Sequence, residues 1–352
     1  MHDFFKGKKV FITGHTGFKG GWLSMWLKRL GADVTGYSLE PPTKPSLFEV
    51  CGLEKVVRTV KGNVTNLDDL SAAFADARPE IVFHLAAQSL VRPSYKKPVE
   101  TLNTNILGTV NLLEAARNTR SVRAVVVVTT DKCYENKGWV YPYRETEALG
   151  GYDPYSASKA CAEIVTASYR SSFFSDANVA VASARAGNVI GGGDWAEDRL
   201  LPDCIRAFTG KRQVELRYPH AIRPWQHVLE PLRGYILLAE KLLGSEAAAF
   251  SDSWNFGPDA AGDATVGEIA QKAADYWGGG AVVSQEKSDK LHEAGILRLD
   301  ITKARTNLDW RPSWPIDRAV KETISWYKAW YGKTDDMHRF SLKQIESYEE
   351  SV

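Results

Sequence analysis

The strongest constraint on this chain is a pattern repeated through its first half. Short apolar runs, several rich in valine, alternate with stretches of helical period. The runs at 9–14 (KVFITG), 33–38 (DVTGYS), 56–62 (VVRTVKG), 80–86 (EIVFHLA), 124–130 (AVVVVTT) and 179–185 (VAVASAR) read as strands. The segments between them read as helices at 20–32, 67–77, 98–118 and 154–173. Apolar runs unbroken by alternating polar residues suit strands covered on both faces, and the intervening helices supply the cover. The expectation is a doubly wound α/β fold around a parallel sheet.

Beyond about residue 188 the alternation weakens. Stretches at 191–195, 218–227, 255–264 and 309–315 are rich in Gly, Trp, Pro and Arg and read as loops, with helices expected at about 230–243, 266–277 and 316–331. This divides the chain into a dinucleotide-binding domain over 1–188, to which 224–258 is expected to return, and a smaller α/β substrate-binding lobe over most of 189–352. A length of 352 residues suits one large domain or two closely joined ones.

The formal net charge of +1 gives no field for nucleic acid or an anionic membrane. No apolar run approaches the roughly 20 residues of a membrane helix. The chain enters its first strand too early to leave room for a secretion signal. The four cysteines, Cys51, Cys133, Cys161 and Cys204, are scattered with no CxxC pair, which speaks against zinc and against a disulfide framework. A reduced, cytoplasmic setting without a metal is expected.

Between the first strand and first helix stands GHTGFKG, which spaces Gly14, Gly17 and Gly20 three apart. The first glycine permits the turn, the second lets backbone approach a pyrophosphate, and the third lets helix pack on strand. The free N–H groups and positive dipole end of the helix then face the anion. The context of strand, glycine turn and helix is that of a Rossmann dinucleotide site. At the end of the second strand Ser38 stands near the place of the ribose-binding acid and Glu40 slightly late. No arginine follows to receive a 2′-phosphate, so NAD is favoured over NADP. Asn63 after the third strand is either an adenine ligand or a turn residue.

Tyr155 and Lys159 in YSASK lie one helical turn apart on one face. An ammonium beside a phenol favours phenolate, lowering a pKa that is ordinarily about 10. Such a tyrosine takes a proton from a sugar hydroxyl while hydride leaves the same carbon.

With these residues the chain resembles an extended short-chain dehydrogenase/reductase. The resemblance rests on GHTGFKG, HLAAQ at 84–88, TNILGTVNLLEA at 104–115, YSASK, and ARAGNVIGGGDW at 184–195. Within that superfamily TTDK at 129–132 is similar to the active-site triplet of nucleotide-sugar 4,6-dehydratases. Those carry Thr-Asp-Glu, whereas Thr-Asp-Lys belongs to the CDP-glucose 4,6-dehydratases. DKCYENK, GGYDPYSASKACAE, GGGDWAEDRLLPD and IRPWQHVLEPL also resemble that family.

The resemblance implies NAD-dependent conversion of CDP-glucose to CDP-4-keto-6-deoxyglucose for deoxysugar biosynthesis, with the cofactor regenerated in each cycle. It implies Thr16, Phe18, Val64, Leu85, Ala86, Ala87 and Thr104 as further cofactor contacts. Gln88, Arg92, Tyr134, Asn188, Arg199, Arg223 and Arg298 become the candidates for the nucleotide sugar, since arginine offers paired donors to phosphate. Tyr134 either lines the sugar pocket or packs beneath it. A homodimer through the helices at 98–118 and 154–173 is also implied.

The chemistry assigns roles to the remaining residues. Thr130 holds the C4 oxygen and Tyr155 takes its proton. Asp131 suits the acid that protonates the departing C6 hydroxyl, given a raised pKa. Lys132 is either the C5 base, if its ammonium is made acidic, or a fixed cation beside the enolate. A hexose 4-epimerase would share Thr130, Tyr155 and Lys159 without needing Asp131 and Lys132. A non-catalytic NAD-binding protein would not need the tyrosine and lysine. A dehydratase for dTDP-, UDP- or GDP-sugars differs only in residues that cannot be named from sequence.

Overall fold

The computed structural model describes residues 3–174, 178–259, 264–278, 282–284 and 297–352. Of the loop-rich stretch expected at 255–264, residues 260–263 lie outside the described residues.

Seven parallel strands form the central sheet: β1 (Lys9–Thr13), β2 (Asp33–Ser38), β3 (Arg58–Lys61), β4 (Ile81–His84), β5 (Ala124–Val128), β6 (Ala180–Ala186) and β7 (Ser253–Phe256). Their order across the sheet is β3-β2-β1-β4-β5-β6-β7. The chain builds outward one way from β1 and then the other way from β4. The carboxyl ends of β1 and β4 therefore flank the switch point, where such sheets open a ligand crevice.

Side chains alternate across the sheet and divide the core into two layers. Val10, Ile12, Ile81, Phe83, Val126 and Val128 face one layer. Phe11, Val82, Val125 and Val127 face the other. β7, which follows the long excursion after β6, registers Trp254 on Ala184 and Asn255 on Arg185.

Local chemistry fixes the helix that carries Tyr155. It runs Pro154–Tyr169, with Pro154 in its first turn and the Asp153 carboxylate accepting the Ser156 N–H as N-cap. Two helices expected as continuous are broken. The 98–118 segment is Pro98–Leu102, a π turn at Asn103–Leu107, then Gly108–Arg117. The 154–173 segment passes into a π turn at Arg170–Phe174. The first break has a visible cause in Asn105. Its Oδ1 accepts the Gln88 N–H at 2.9 Å, and its Nδ2 donates to the Gln88 carbonyl at 2.9 Å and to Ser158 Oγ at 2.8 Å. The extra residue in the turn aims this side chain inward.

Helices at Leu200–Thr209 and Met337–Glu349 have no counterpart in the pattern read from sequence. The second is polar overall and buries only Met337, Ser341, Gln344, Ile345 and Tyr348, one stripe along its length. Buried Glu230 anchors this end of the chain. Its carboxylate accepts N–H from Ser313 at 3.0 Å and from Trp314 at 2.6 Å, and the Tyr348 hydroxyl at 2.6 Å. Glu230→Ala leaves three donors without their acceptor. It is expected to lower the unfolding free energy by about 3 kcal/mol, read as a lower urea midpoint at unchanged slope.

Candidate active site

The glycine loop is built by contact rather than by flexibility alone. Gly14 has φ +78°, and a Cβ there would stand 2.7 Å from the Ala86 nitrogen. A Cβ on Gly20 would lie 2.1 Å from the Gly14 carbonyl oxygen. Leu85 N–H donates to the Thr13 carbonyl at 3.1 Å, and Ala86 N–H to Thr13 Oγ1 at 3.2 Å. These contacts seal the first turn against the end of β4. Gly17 N-caps the helix Phe18–Arg29 with no side-chain acceptor, so the first-turn N–H groups stay available to an anion. The cradle therefore fits the pyrophosphate of a dinucleotide.

The other cofactor candidates ring this cradle. Thr16 and Ser38 hydroxyls hydrogen-bond at 2.8 Å, and Thr16 also donates to the Leu39 carbonyl. Glu40 is exposed and paired with Lys61. Asn63 Oδ1 accepts the Thr65 N–H at 3.1 Å, closing a turn, while Val64 is buried against Gly108. Phe18, Ala87 and Thr104 are half-buried.

At the end of β5 the chain leaves the sheet through a short turn, Asp131–Cys133. Thr130 Oγ1 donates to Asp131 Oδ1 at 3.0 Å, and Lys132 Nζ lies 3.5 Å from the same oxygen and 3.5 Å from Asn188 Oδ1. Asp131 is wholly buried, and its Oδ2 has no hydrogen-bond partner among the described residues. A Cβ on Gly187 would come within 3.2 Å of this oxygen. A buried carboxyl with one oxygen unpartnered is placed to exchange a proton there.

Tyr155 and Lys159 are both buried on the adjacent helix face. The Thr130 hydroxyl lies beside the Tyr155 phenol and favours its ionised form. Burial pushes the Tyr155 phenol up to about 12, against the opposing pull of Thr130. Lys159 donates to the Val128 carbonyl at 3.1 Å, and burial lowers its ammonium to about 8 against the opposing charge of Glu163.

Lys19 is a site residue that the sequence pattern did not reveal. It stands between Gly17 and Gly20, half-buried, and its ammonium is lowered to about 7 by burial and by Arg199, with Asp131 opposing and Lys159 and Lys132 adding to the shift. Its position in the first helical turn, directed at the sheet's carboxyl edge, was the available signal.

The substrate-side candidates separate into two groups. Asn188, Arg199 and Arg223 stand at the site. Asn188 contacts Lys132, and Arg199 pairs with Asp194 at 3.1 Å and acts on both Lys19 and Tyr155. Arg223 is buried beside Pro224, which packs on Gly187 next to Asp131. Arg92 and Arg217 both reach Asp198, at 3.6 and 2.6 Å. Arg217 also lines a cavity of about 650 Å³ with Asp203, Arg206, Arg212 and Glu215.

The second group is held elsewhere. Tyr134 is buried, its hydroxyl donates to Asn255 Oδ1 at 2.7 Å and accepts from Arg185, and its ring stacks on Tyr143. Its hydrogen-bonding capacity is met inside the protein. The Gln88 amide is bound to Leu90 and Thr101 and shapes its own loop. Arg298 donates to the Val140 carbonyl at 3.3 Å, on the strand bridge that joins Tyr143 to Leu299.

Among the described residues no cluster of His, Cys, Asp and Glu is suited to a metal, and no helix is long and apolar enough to cross a membrane.

Comparison with known proteins bears on this arrangement. The family model for GDP-mannose 4,6 dehydratase matches residues 11–323. A CDP-glucose 4,6-dehydratase of Salmonella typhimurium is 49% identical over 98% of this chain and 97% of its own length. Two solved structures share the fold. A UDP-glucose 4-epimerase of Thermotoga maritima with UDP-glucose has a TM-score of 0.76 at 24% identity, covering 91% of this chain and 98% of that one. A dTDP-glucose 4,6-dehydratase of Bacillus anthracis in complex with NAD has a TM-score of 0.76 at 20% identity, covering 92% and 97%. With the family model spanning most of the chain and a relative matched nearly end to end, the protein belongs to the nucleotide-sugar 4,6-dehydratases of the extended short-chain dehydrogenase/reductase superfamily.

Proposed function

We propose that the protein is a hydro-lyase converting CDP-glucose to CDP-4-keto-6-deoxyglucose with NAD as its regenerated cofactor. The observation that carries this reading is the assembly of Thr130, Asp131 and Lys132 beside Tyr155, with a buried Asp131 oxygen left unpartnered next to Gly187. An epimerase has no use for that acid and amine. The 49% identical relative supports cytidine as the nucleotide. Absence of an arginine after Ser38, and the NAD bound in the Bacillus anthracis dehydratase of the same fold, support NAD.

When bound, NAD accepts hydride from C4 of the sugar and returns it to C6. The protein's own residues handle the protons. Thr130 holds the C4 oxygen and Tyr155 takes its proton. The Lys159 ammonium favours the phenolate. The C4 ketone acidifies C5–H, which Lys132 removes while Asp131 protonates the departing C6 hydroxyl. Asn188 holds the Lys132 amine in place. Arg199 and Arg223 supply the paired donors for the diphosphate.

The exposed side chains Val99, Leu102, Leu107, Ile164 and Phe173 lie on the helical segments 98–117 and 154–174. They support a homodimer through a four-helix bundle. The even charge and reduced cysteines fit a cytoplasmic enzyme.

Three measurements test this reading. Mixed with NAD and each of CDP-, dTDP-, UDP- and GDP-glucose in turn, the protein should remove one water only from the CDP sugar, read by mass spectrometry. Water loss from another nucleotide sugar alone would overturn the cytidine assignment. Tyr155→Phe should cut the rate of water loss by about 10²–10⁴-fold. Lys132→Met should abolish solvent deuterium entry at C5 of the bound ketone. Full-rate exchange in that variant would leave Lys132 as a fixed cation and not the base.

A further inference from the structure

Beneath the reacting residues lies an ion pair that no step above uses. Glu163 is one helical turn beyond Lys159, and Arg185 is near the end of β6. Each is 3% exposed, and Arg185 Nη2 meets Glu163 Oε2 at 2.8 Å. Isolating two charges from water costs more than one pair usually returns, and apolar residues of similar volume are often as stable or more so. Stability alone therefore gives no account of it.

What the pair touches does. Glu163 Oε1 accepts from Thr129 Oγ1, the residue before Thr130, and Oε2 accepts from Ser183 Oγ at 2.6 Å. Arg185 Nη1 donates to the Tyr134 hydroxyl at 2.8 Å and to the Glu145 carbonyl at 3.1 Å. Tyr134 is the second residue after Lys132. Its hydroxyl passes the connection to Asn255, whose amide donates to the carbonyls of Tyr143 and Asp300. Both ends of the turn that carries Thr130, Asp131 and Lys132 are thus tied to one charge pair, and that pair is rooted in the helix of Tyr155 and Lys159.

We propose that Glu163 and Arg185 are positioning residues: their buried pair sets the Thr130–Lys132 turn against Tyr155 and Lys159. The proposal rests on the dehydratase reading of those five residues. Burial pushes the Glu163 carboxyl up, but Arg185, Ser183 and Thr129 outweigh it and hold it below the usual range. The groups facing Lys159 are Glu163 on its own helix, Cys133 from the turn, His84 from β4 and Lys19 from the first helix. Of these only Glu163 is an anion at neutral pH. Burial holds His84 neutral at about 3 and pushes the Cys133 thiol up. Removing the Glu163 charge lowers the Lys159 pKa, so activity that needs the ammonium is lost at a lower pH as pH rises.

Two variants test this, Glu163→Gln and the double variant Glu163→Met with Arg185→Met, beside the wild type. Each is measured for kcat and KM with CDP-glucose across pH, for thermal midpoint, and for amide exchange. Glu163→Gln should keep KM within about threefold and lose kcat by about 10²-fold, with the alkaline limb of kcat moved to lower pH. The double variant, which leaves neither partner of the pair charged without the other, should melt no lower than Glu163→Gln and still show the loss in kcat. Both should exchange amides faster at 129–134. Recovery of wild-type kcat and pH profile in the double variant would overturn the proposal, as would unchanged exchange at 129–134. A wild-type protein that removes no water from CDP-glucose would sink the reaction assignment instead. The exchange measurement would still decide the positioning role.

Discussion

The contact between Gly14 and the Leu85–Ala86 backbone is the constraint on which the rest of the molecule depends. It closes the carboxyl ends of β1 and β4 to a distance at which any side chain on Gly14 would collide. That closure turns the switch point of the sheet into a floor for the pyrophosphate. It also points the first turn of the helix Phe18–Arg29 across the crevice, which brings Lys19 to the same place as Asp131, Lys132, Lys159 and Arg199. Four cations and one buried carboxylate share a small volume there. Such an excess of positive charge suits a site that receives an anion.

Much of this was legible in sequence because it depends on local pattern. Apolar runs and glycine spacing specify β1, β4, β5 and the turn between strand and helix. Asp153 and Pro154 mark where the helix of Tyr155 starts. What was not legible depends on long-range partners. β7 pairs with β6 across about 70 residues of chain, and the helix Met337–Glu349 is too polar to announce that one of its faces is buried.

The site divides along the same line. Residue identity exposed Thr130, Asp131, Lys132, Tyr155 and Lys159, since few other chemistries need them together. Environment decided the rest. Tyr134 reads either as a lining or as a packing residue beside the triplet, and its hydroxyl is held by Arg185 and Asn255. Lys159 also hydrogen-bonds the Val128 carbonyl, and burial is the largest influence on the Tyr155 phenol, neither of which the spacing of the pair reveals. Proximity along a helix indicates that two groups share a face, but not which neighbour each has chosen.

The docking of the helix Met337–Glu349 ties the nucleotide fold to a segment remote from it in sequence. Trp26 Nε1 donates to Glu349 at 2.8 Å, Arg29 pairs with Glu346 at 2.7 Å, and the Trp26 ring meets Tyr348 edge-on. The outer face of the first helix is thus covered by residues more than 300 positions away along the chain. The glycine turn sits at the start of that same helix, so the cofactor cradle and the helix Met337–Glu349 share one support. Loosening the distal helix would therefore be felt first as lost packing behind the cradle, not as a change in any residue that lines it.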